Sequence, residues 1–350
     1  MKKNILKLTF IVLSLGLLLM GCTGNSNNDL NYIARTDFLM DTVMTIRIYD
    51  NQKEKTLDKV FQRLQEIEDR MSSHIATSDV SKVNDNAGIG PVTVHEDTYE
   101  VIERVKYYAE LSKGKYDPTI GTLVDLWDVK AEEKERDFIP TTEEIEQAKS
   151  MVGYEDLELL GDNQVYLKRK GMKIVLGSIV KGYAADEAKR VLVENKVEKA
   201  IIDLGGNLYI HGDKGDGTQW RIGIQDPFNP TGSYAGILEV SNISVVTSGD
   251  YERFFIHKGK KYNHIIDPHT GYPTDNELTG ISITSDESID GDALSTTVFV
   301  MGLDEGMKFV NSLENIEAIF ITKDKSIYTT ENLKGIFNLP KDSPFTIKDY

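Results

Sequence analysis

Apolar and polar residues first alternate at 42–49 (TVMTIRIY), a stretch rich in β-branched side chains, so the pattern predicts a strand there. From Lys53 the period changes. Leu57, Val60, Phe61, Leu64, Ile67 and Met71 recur every three or four residues, which places them on one stripe of an amphipathic helix. A second helix is predicted from about Asp97, with Val101, Ile102, Val105, Tyr108 and Leu111 inward and Gly114 placed to end it. Thr141 and Glu144 have the spacing of a capping box for a short third helix. A fourth runs from Ser178 to Asn195 with Ile179, Tyr183, Ala184, Ala188, Val191 and Leu192 as its apolar face.

Strand patterns follow at 173–176, 200–204, 208–211, 220–224, 237–240, 243–247 and 281–284. Two helices are expected at 291–301 and 304–313, and a last strand at 318–322. Several of these strands are separated by glycine-containing turns, as in hairpins. Strand runs interrupted by clustered helices predict an α+β fold rather than a regular βαβ winding. With no internal repeat or second linker, one catalytic unit of about 300 residues, with room for two lobes, is the economical reading.

The N-terminus reads differently. The cationic MKKNILK and the apolar LTFIVLSLGLLLM lead to Gly21 and Cys22, the layout of a secretory signal and too short for a good spanning helix. Leu19-Met20-Gly21-Cys22 resembles the lipobox of bacterial lipoproteins, so Cys22 is the expected lipidated N-terminus after removal of residues 1–21. Residues 22–36 read as a polar tether, 37–340 as the catalytic domain and 341–350 as a tail. The expected location is a lipid anchor on the extracytoplasmic face of the cell membrane.

A single cysteine excludes a disulfide framework and thiolate clusters. The formal charge is −16, and −19 once the leader with its three lysines is removed, which argues against nucleic acid or an anionic lipid surface as main partner. A phosphorylated ligand would need a local source of positive charge.

Four segments carry candidate chemistry. Ser178-Ile-Val-Lys181-Gly follows a predicted strand and opens a helix, so its amide groups and Lys181 can meet an anion, although a solvated lysine on a plain turn reads as well. Asp203-Leu-Gly205-Gly206-Asn207 lets backbone approach a ligand, or makes a tight hairpin. Asp292, Ser295 and Thr296 put a carboxylate and two hydroxyls on one helical face, hard oxygen donors that suit magnesium or cap a helix. His264 and Asp267 lie in a loop stiffened by two prolines, while the other histidines lack the spacing of a zinc site.

Taken in order, Met40-Asp41-Thr42, Lys115-Tyr116-Asp117-Pro118 with Leu126-Trp127, GSIVKGYAAD, DLGGN, VTSGDYERFF, YNHIIDPHTGYP and DALST resemble the ApbE family of FAD:protein FMN transferases over nearly the whole mature chain. The resemblance implies a T-fold-like unit of largely antiparallel sheets flanked by helices. It also implies Mg2+-dependent transfer of FMN from FAD to a threonine or serine of an acceptor protein, with release of AMP. FAD contacts are implied at Met40, His74, Lys115, Tyr116, Asp117, Val175, Lys181 and Ile266, and Gly205, Gly206 and Asn207 join them as cofactor-binding candidates. Metal contacts are implied at Ser178, Asp292 and Thr296, with Ser295 through its carbonyl. His264, Asp292 and Lys181 are the catalytic candidates, with His264 or a metal-bound carboxylate for the acceptor proton. The family often has tyrosine where His74 stands and aspartate where Val175 stands.

Two other readings stay open: an FAD pyrophosphatase using water as acceptor, and a non-catalytic flavin-binding lipoprotein. A carrier should contain an acceptor motif of the kind Asp-Gly-x-Ser/Thr-x-x-Ser/Thr. Asp216-Gly217-Thr218 begins one, and Gln219-Trp220-Arg221 does not complete it.

Overall fold

Six apolar residues in the first predicted stripe, Leu57 to Met71, are all buried in helix α1 (Glu54–Met71), so the helix forms because one face leaves water. It is followed by α2 (Asp79–Asp85), α3 (Glu96–Leu111), α4 (Gly121–Trp127), α5 (Thr142–Lys149), α6 (Val180–Glu194) and α7 (Ser288–Val310). Gly114 ends α3 as expected: at φ 80° its N–H reaches back to the Ala109 carbonyl. Both halves of the Thr141/Glu144 capping box form at α5. Thr141→Ala should cost about 1 kcal/mol in chemical denaturation and leave ligand binding unchanged.

The computed structural model describes residues 31–130 and 134–350. The leader, Cys22 and the tether up to residue 30 lie outside the described residues. Among the described residues no helix is long and apolar enough to cross a membrane.

Nine strands form one sheet in which spatial order follows chain order: Ile33–Leu39, Thr42–Ile48, Ala200–Leu204, Asn207–His211, Ile243–Gly249, Leu278–Ser285, Glu317–Thr322, Ser326–Thr329 and Thr346–Ile347. All neighbours are antiparallel except the last pair. α1, α3, α6 and α7 share the main core with one face of this sheet. A second, three-stranded sheet (Trp220–Gln225, Tyr234–Val240 and Phe337–Asn338) shares a core with the other. Side-chain alternation splits each strand between the two cores. Ala318 and Phe320 join the helices, whereas Ile319 and Ile321 join the small sheet. Leu278–Ser285 is buried at every position, as a strand covered on both faces must be. A third small core, with Leu123, Trp127, Ile145, Phe255 and Ile266, joins α4 and α5 to the hairpin Phe254–His257/Lys260–Asn263.

Four sequence expectations are corrected. The ordered fold starts at the strand Ile33–Leu39, inside the stretch read as tether, because backbone pairing with Thr42–Ile48 orders a segment whose side chains are mostly exposed. The tail read from 341 carries Phe345 into the second core and Thr346–Ile347 onto the sheet. Residues 173–176 make only an isolated bridge, Lys173 to Ile120, rather than a strand. The two C-terminal helices, by contrast, stand as expected, with α7 broken between them at Gly302, whose φ of 79° and ψ of −174° no helix interior accepts. Residues 32–350 form one compact unit with three cores in place of two lobes.

Candidate active site

At one end of the nine-stranded sheet the chain makes two tight reversals. Leu39 pairs with Thr42, so Met40 and Asp41 form a two-residue turn with both φ positive, at 50° and 57°. Such a turn favours glycine or asparagine, and here a side chain holds it: the Glu68 carboxylate of α1 accepts the Met40 N–H at 2.7 Å. Leu204 pairs with Asn207 in the same way around Gly205 and Gly206. A Cβ on Gly205 would lie 1.9 Å from Thr42 Oγ1, so the two turns pack too closely for any other residue.

These turns border an open cavity of about 330 Å³, within the range of roughly 300–1,000 Å³ usual for small-molecule sites. Its wall gathers Met40, His74, Lys115, Tyr116, Asp117, Val175, Ser178, Lys181, Gly205, His264, Ile266, Asp292 and Thr296, all expected from the sequence. Gly206, Asn207 and Ser295 are not in the wall. Gly206 is an exposed turn residue and Asn207 is buried with its Nδ2 unpartnered. The DLGGN segment is therefore a hairpin that offers Gly205 alone to the cavity. Ser295 turns inward, donating to the Asp292 carbonyl and pairing with Ser248 Oγ, so any metal contact it makes must be through the main chain.

Helices α6 and α7 clasp each other beside the cavity. The Asp292 carboxylate of α7 accepts the Gly182 N–H at 2.9 Å and Lys181 Nζ at 3.3 Å. In return the Asp186 carboxylate of α6 accepts the N–H groups of Ser288 and Ile289, both at 2.8 Å, and caps α7. The clasp holds Asp292 at the cavity wall, almost buried, with Thr296 one turn on. Ser178 donates to the buried Tyr116 hydroxyl at 3.0 Å, and burial pushes that phenol above its ordinary range. Asp117 is occupied by its own loop: it accepts the Thr119 N–H and hydroxyl and the Tyr154 N–H. Burial still raises its pKa.

Sequence reading missed Glu68, Glu252 and Arg253 as cavity residues, and Trp127 as its apolar wall beside Ile120, Val124 and Val129. Arg253 sits against the Asp41 carbonyl, with Nη2 at 3.4 Å. Glu252 is wetted by the open cavity yet densely surrounded by protein. Desolvation pushes its carboxyl up to about 7, with the Asp292 charge adding to the rise and Lys181 and Arg253 opposing it. His264 is driven the other way, to about 4, by burial and then by the Arg253 and Lys181 charges. Its Nδ1 is buried without a partner. It is therefore a neutral imidazole at pH 7 with a ring nitrogen left free.

Five carboxylates (Asp41, Glu68, Asp117, Glu252, Asp292) face three cations (Lys115, Lys181, Arg253) in the wall. No group of three or more His, Cys, Asp or Glu among the described residues could hold a metal by itself. What is present, one carboxylate with the Thr296 and Ser178 hydroxyls, fits magnesium, which keeps waters and completes its shell with substrate phosphates. It does not fit zinc.

The description "ApbE family" belongs to the family model that matches residues 40–320. FAD:protein FMN transferases of Klebsiella pneumoniae and Treponema pallidum are 34% and 32% identical. Those alignments cover 89% and 84% of this chain, and 95% and 85% of the relatives. Among solved structures, the ApbE protein of Thermotoga maritima superposes with a TM-score of 0.79 at 31% identity, and the flavin transferase ApbE of Vibrio cholerae with 0.77 at 26%. Each covers 87% of this chain and 99% of its own. By matched length, identity and shared fold, the chain belongs to the ApbE family.

Proposed function

We propose that this protein transfers the FMN part of FAD to a serine or threonine hydroxyl of an acceptor protein, forming a phosphoester and releasing AMP. One observation carries the reading: a single cavity joins an apolar wall fit for a flat ring system to a polar end where Asp292, Thr296, Ser178, Lys181 and Arg253 converge. The names of the relatives agree with flavin transfer from FAD to protein.

With more acids than bases in its wall, the cavity repels a pyrophosphate unless further positive charge arrives. Magnesium bound at Asp292 and Thr296 would supply it to the non-bridging phosphate oxygens. Lys181 and Arg253 bind and orient the two phosphates. Ile120, Val124, Trp127 and Val129 exclude water from the ring, and Tyr116 fixes Ser178 by a hydrogen bond. His264, neutral and with a spare nitrogen, orients the ligand by hydrogen bonding. Cys22 carries a lipid that holds the enzyme at the extracytoplasmic face of the membrane. Its acceptors there are exported or membrane redox proteins bearing the Asp-Gly-x-Ser/Thr-x-x-Ser/Thr motif.

The test is incubation with FAD, magnesium and a peptide carrying that motif. The expected product is a peptide heavier by one FMN less water, with one AMP per modified peptide. Free FMN with an unmodified peptide would instead establish a pyrophosphatase, and no consumption of FAD would end both readings.

A further inference from the structure

Glu68 adds a negative charge to a cavity wall that already holds more acids than bases, where it opposes a pyrophosphate. The turn it meets gives the reason for its place there. Met40 and Asp41 carry side chains at φ 50° and 57°, where Cβ crowds the following carbonyl, and a two-residue hairpin of this shape is otherwise the place of Asn-Gly. From the last turn of α1 the Glu68 carboxylate accepts the Met40 N–H at 2.7 Å, and its second oxygen accepts Gln65 Nε2 at 3.2 Å. On the other side the Asp41 carbonyl accepts Arg253 Nη2 at 3.4 Å, and behind the turn Thr42 packs against Gly205. The turn thus bridges the rim. α1 grips one end of it, and the segment that brings Arg253 and His264 to the cavity leans on the other.

We propose that Glu68 is a positioning residue for FAD, an inference that rests on the flavin-transferase reading: it clamps the Met40–Asp41 turn and, through the Asp41 carbonyl, sets the place of Arg253 beside the phosphates. Glu68 acts through the turn rather than on the reacting atoms. What it supplies is a hydrogen-bond acceptor, and its charge is incidental to that task. A neutral acceptor in the same place serves FAD as well or better. Without any acceptor the two residues are free to leave the left-handed region and to release the guanidinium. FAD must then select the molecules whose turn is still formed, and its apparent affinity falls by that fraction.

The experiment measures FAD binding in excess magnesium by flavin fluorescence, with thermal unfolding as a control, for the wild type, Glu68→Gln and Glu68→Ala. The two variants lose the same charge, and only the first keeps an acceptor for the Met40 N–H. Glu68→Gln should bind FAD as tightly as the wild type or a few-fold tighter. Glu68→Ala should bind about tenfold more weakly, as follows if about one turn in ten stays formed, while remaining folded. Adding Asp41→Gly to Glu68→Ala should recover most of that loss, and more than the same change gains in the wild-type background, because glycine takes φ 57° without strain. The losses from Glu68→Ala and Arg253→Ala should be less than additive, since both break one chain of contacts. Wild-type affinity in Glu68→Ala, equal weakening in Glu68→Gln and Glu68→Ala, no recovery with Asp41→Gly, or full additivity with Arg253→Ala overturns the assignment. Should Glu68→Ala not fold, Glu68→Asp decides. Its carboxylate stops one carbon short of the Met40 amide, and wild-type affinity there refutes the proposal. A wild type that binds no FAD at any magnesium concentration is instead a failure of the flavin-transferase reading.

Discussion

Replacing Asp292 by asparagine is expected to lower flavin transfer by about three orders of magnitude while leaving the protein folded. The two roles of Asp292 are separable. One carboxylate oxygen receives the Gly182 N–H, and an asparagine carbonyl can still do that, so the clasp between α6 and α7 survives. The other oxygen meets Lys181 at 3.3 Å, and its negative charge is what the proposed magnesium site would draw on beside the Thr296 and Ser178 hydroxyls. Removing that charge would take a ligand from the proposed magnesium and leave Lys181 unbalanced. Excess magnesium should not restore the rate, and titration of magnesium into the FAD-loaded protein should show weakened binding. Full turnover in the asparagine variant would exclude Asp292 as a metal ligand. Asp292→Ala should add a fold defect, because the buried Gly182 N–H loses its acceptor at a cost of about 1–3 kcal/mol.

Gly182→Ala should be the most destabilising small substitution near the site. A Cβ there would lie 2.3 Å from the Ser288 carbonyl and 2.7 Å from the Ile289 Cα, both backbone atoms that cannot rotate away. The helices must separate, at a cost of about 3 kcal/mol or more by the usual penalty of overpacking. That movement carries the Gly182 amide away from Asp292 and the α7 N-terminus away from Asp186. Loss of stability in chemical denaturation should therefore come with weaker FAD and magnesium binding. A variant with wild-type stability would show that α6 and α7 approach less closely than described.

Much of the scaffold was legible because its elements obey local rules. The stripe Leu57 to Met71, the capping box at Thr141 and the glycine stop at Gly114 each follow from contacts within a few residues. The site was legible in part, through short segments that carry their own chemistry. Asp292 and Thr296 do reach the cavity, whereas Ser295 points into the protein, because a hydroxyl three residues on from Asp292 is claimed by its carbonyl and by Ser248. Glu252 and Arg253 lie within the segment VTSGDYERFF yet drew no individual role from it, since they sit in a turn without periodicity and matter only because the sheet brings that turn to Lys181 and Asp292. The basicity of His264 was hidden for the same reason: burial and a neighbouring guanidinium set it, and neither is written in the adjacent residues. The strand Ile33–Leu39 is held by its neighbour's backbone, so its exposed side chains could not announce it.

Because consecutive strands of the large sheet are also neighbours in space, whatever is spliced between two of them hangs from fixed posts. Residues 250–277, strung between Ile243–Gly249 and Leu278–Ser285, deliver Glu252, Arg253, His264, Ile265, Ile266 and Pro268 to the cavity as one cassette. Exchanging that cassette would alter the reacting groups together and leave every strand register of the platform untouched, which makes it the natural unit in which such a scaffold is re-tooled.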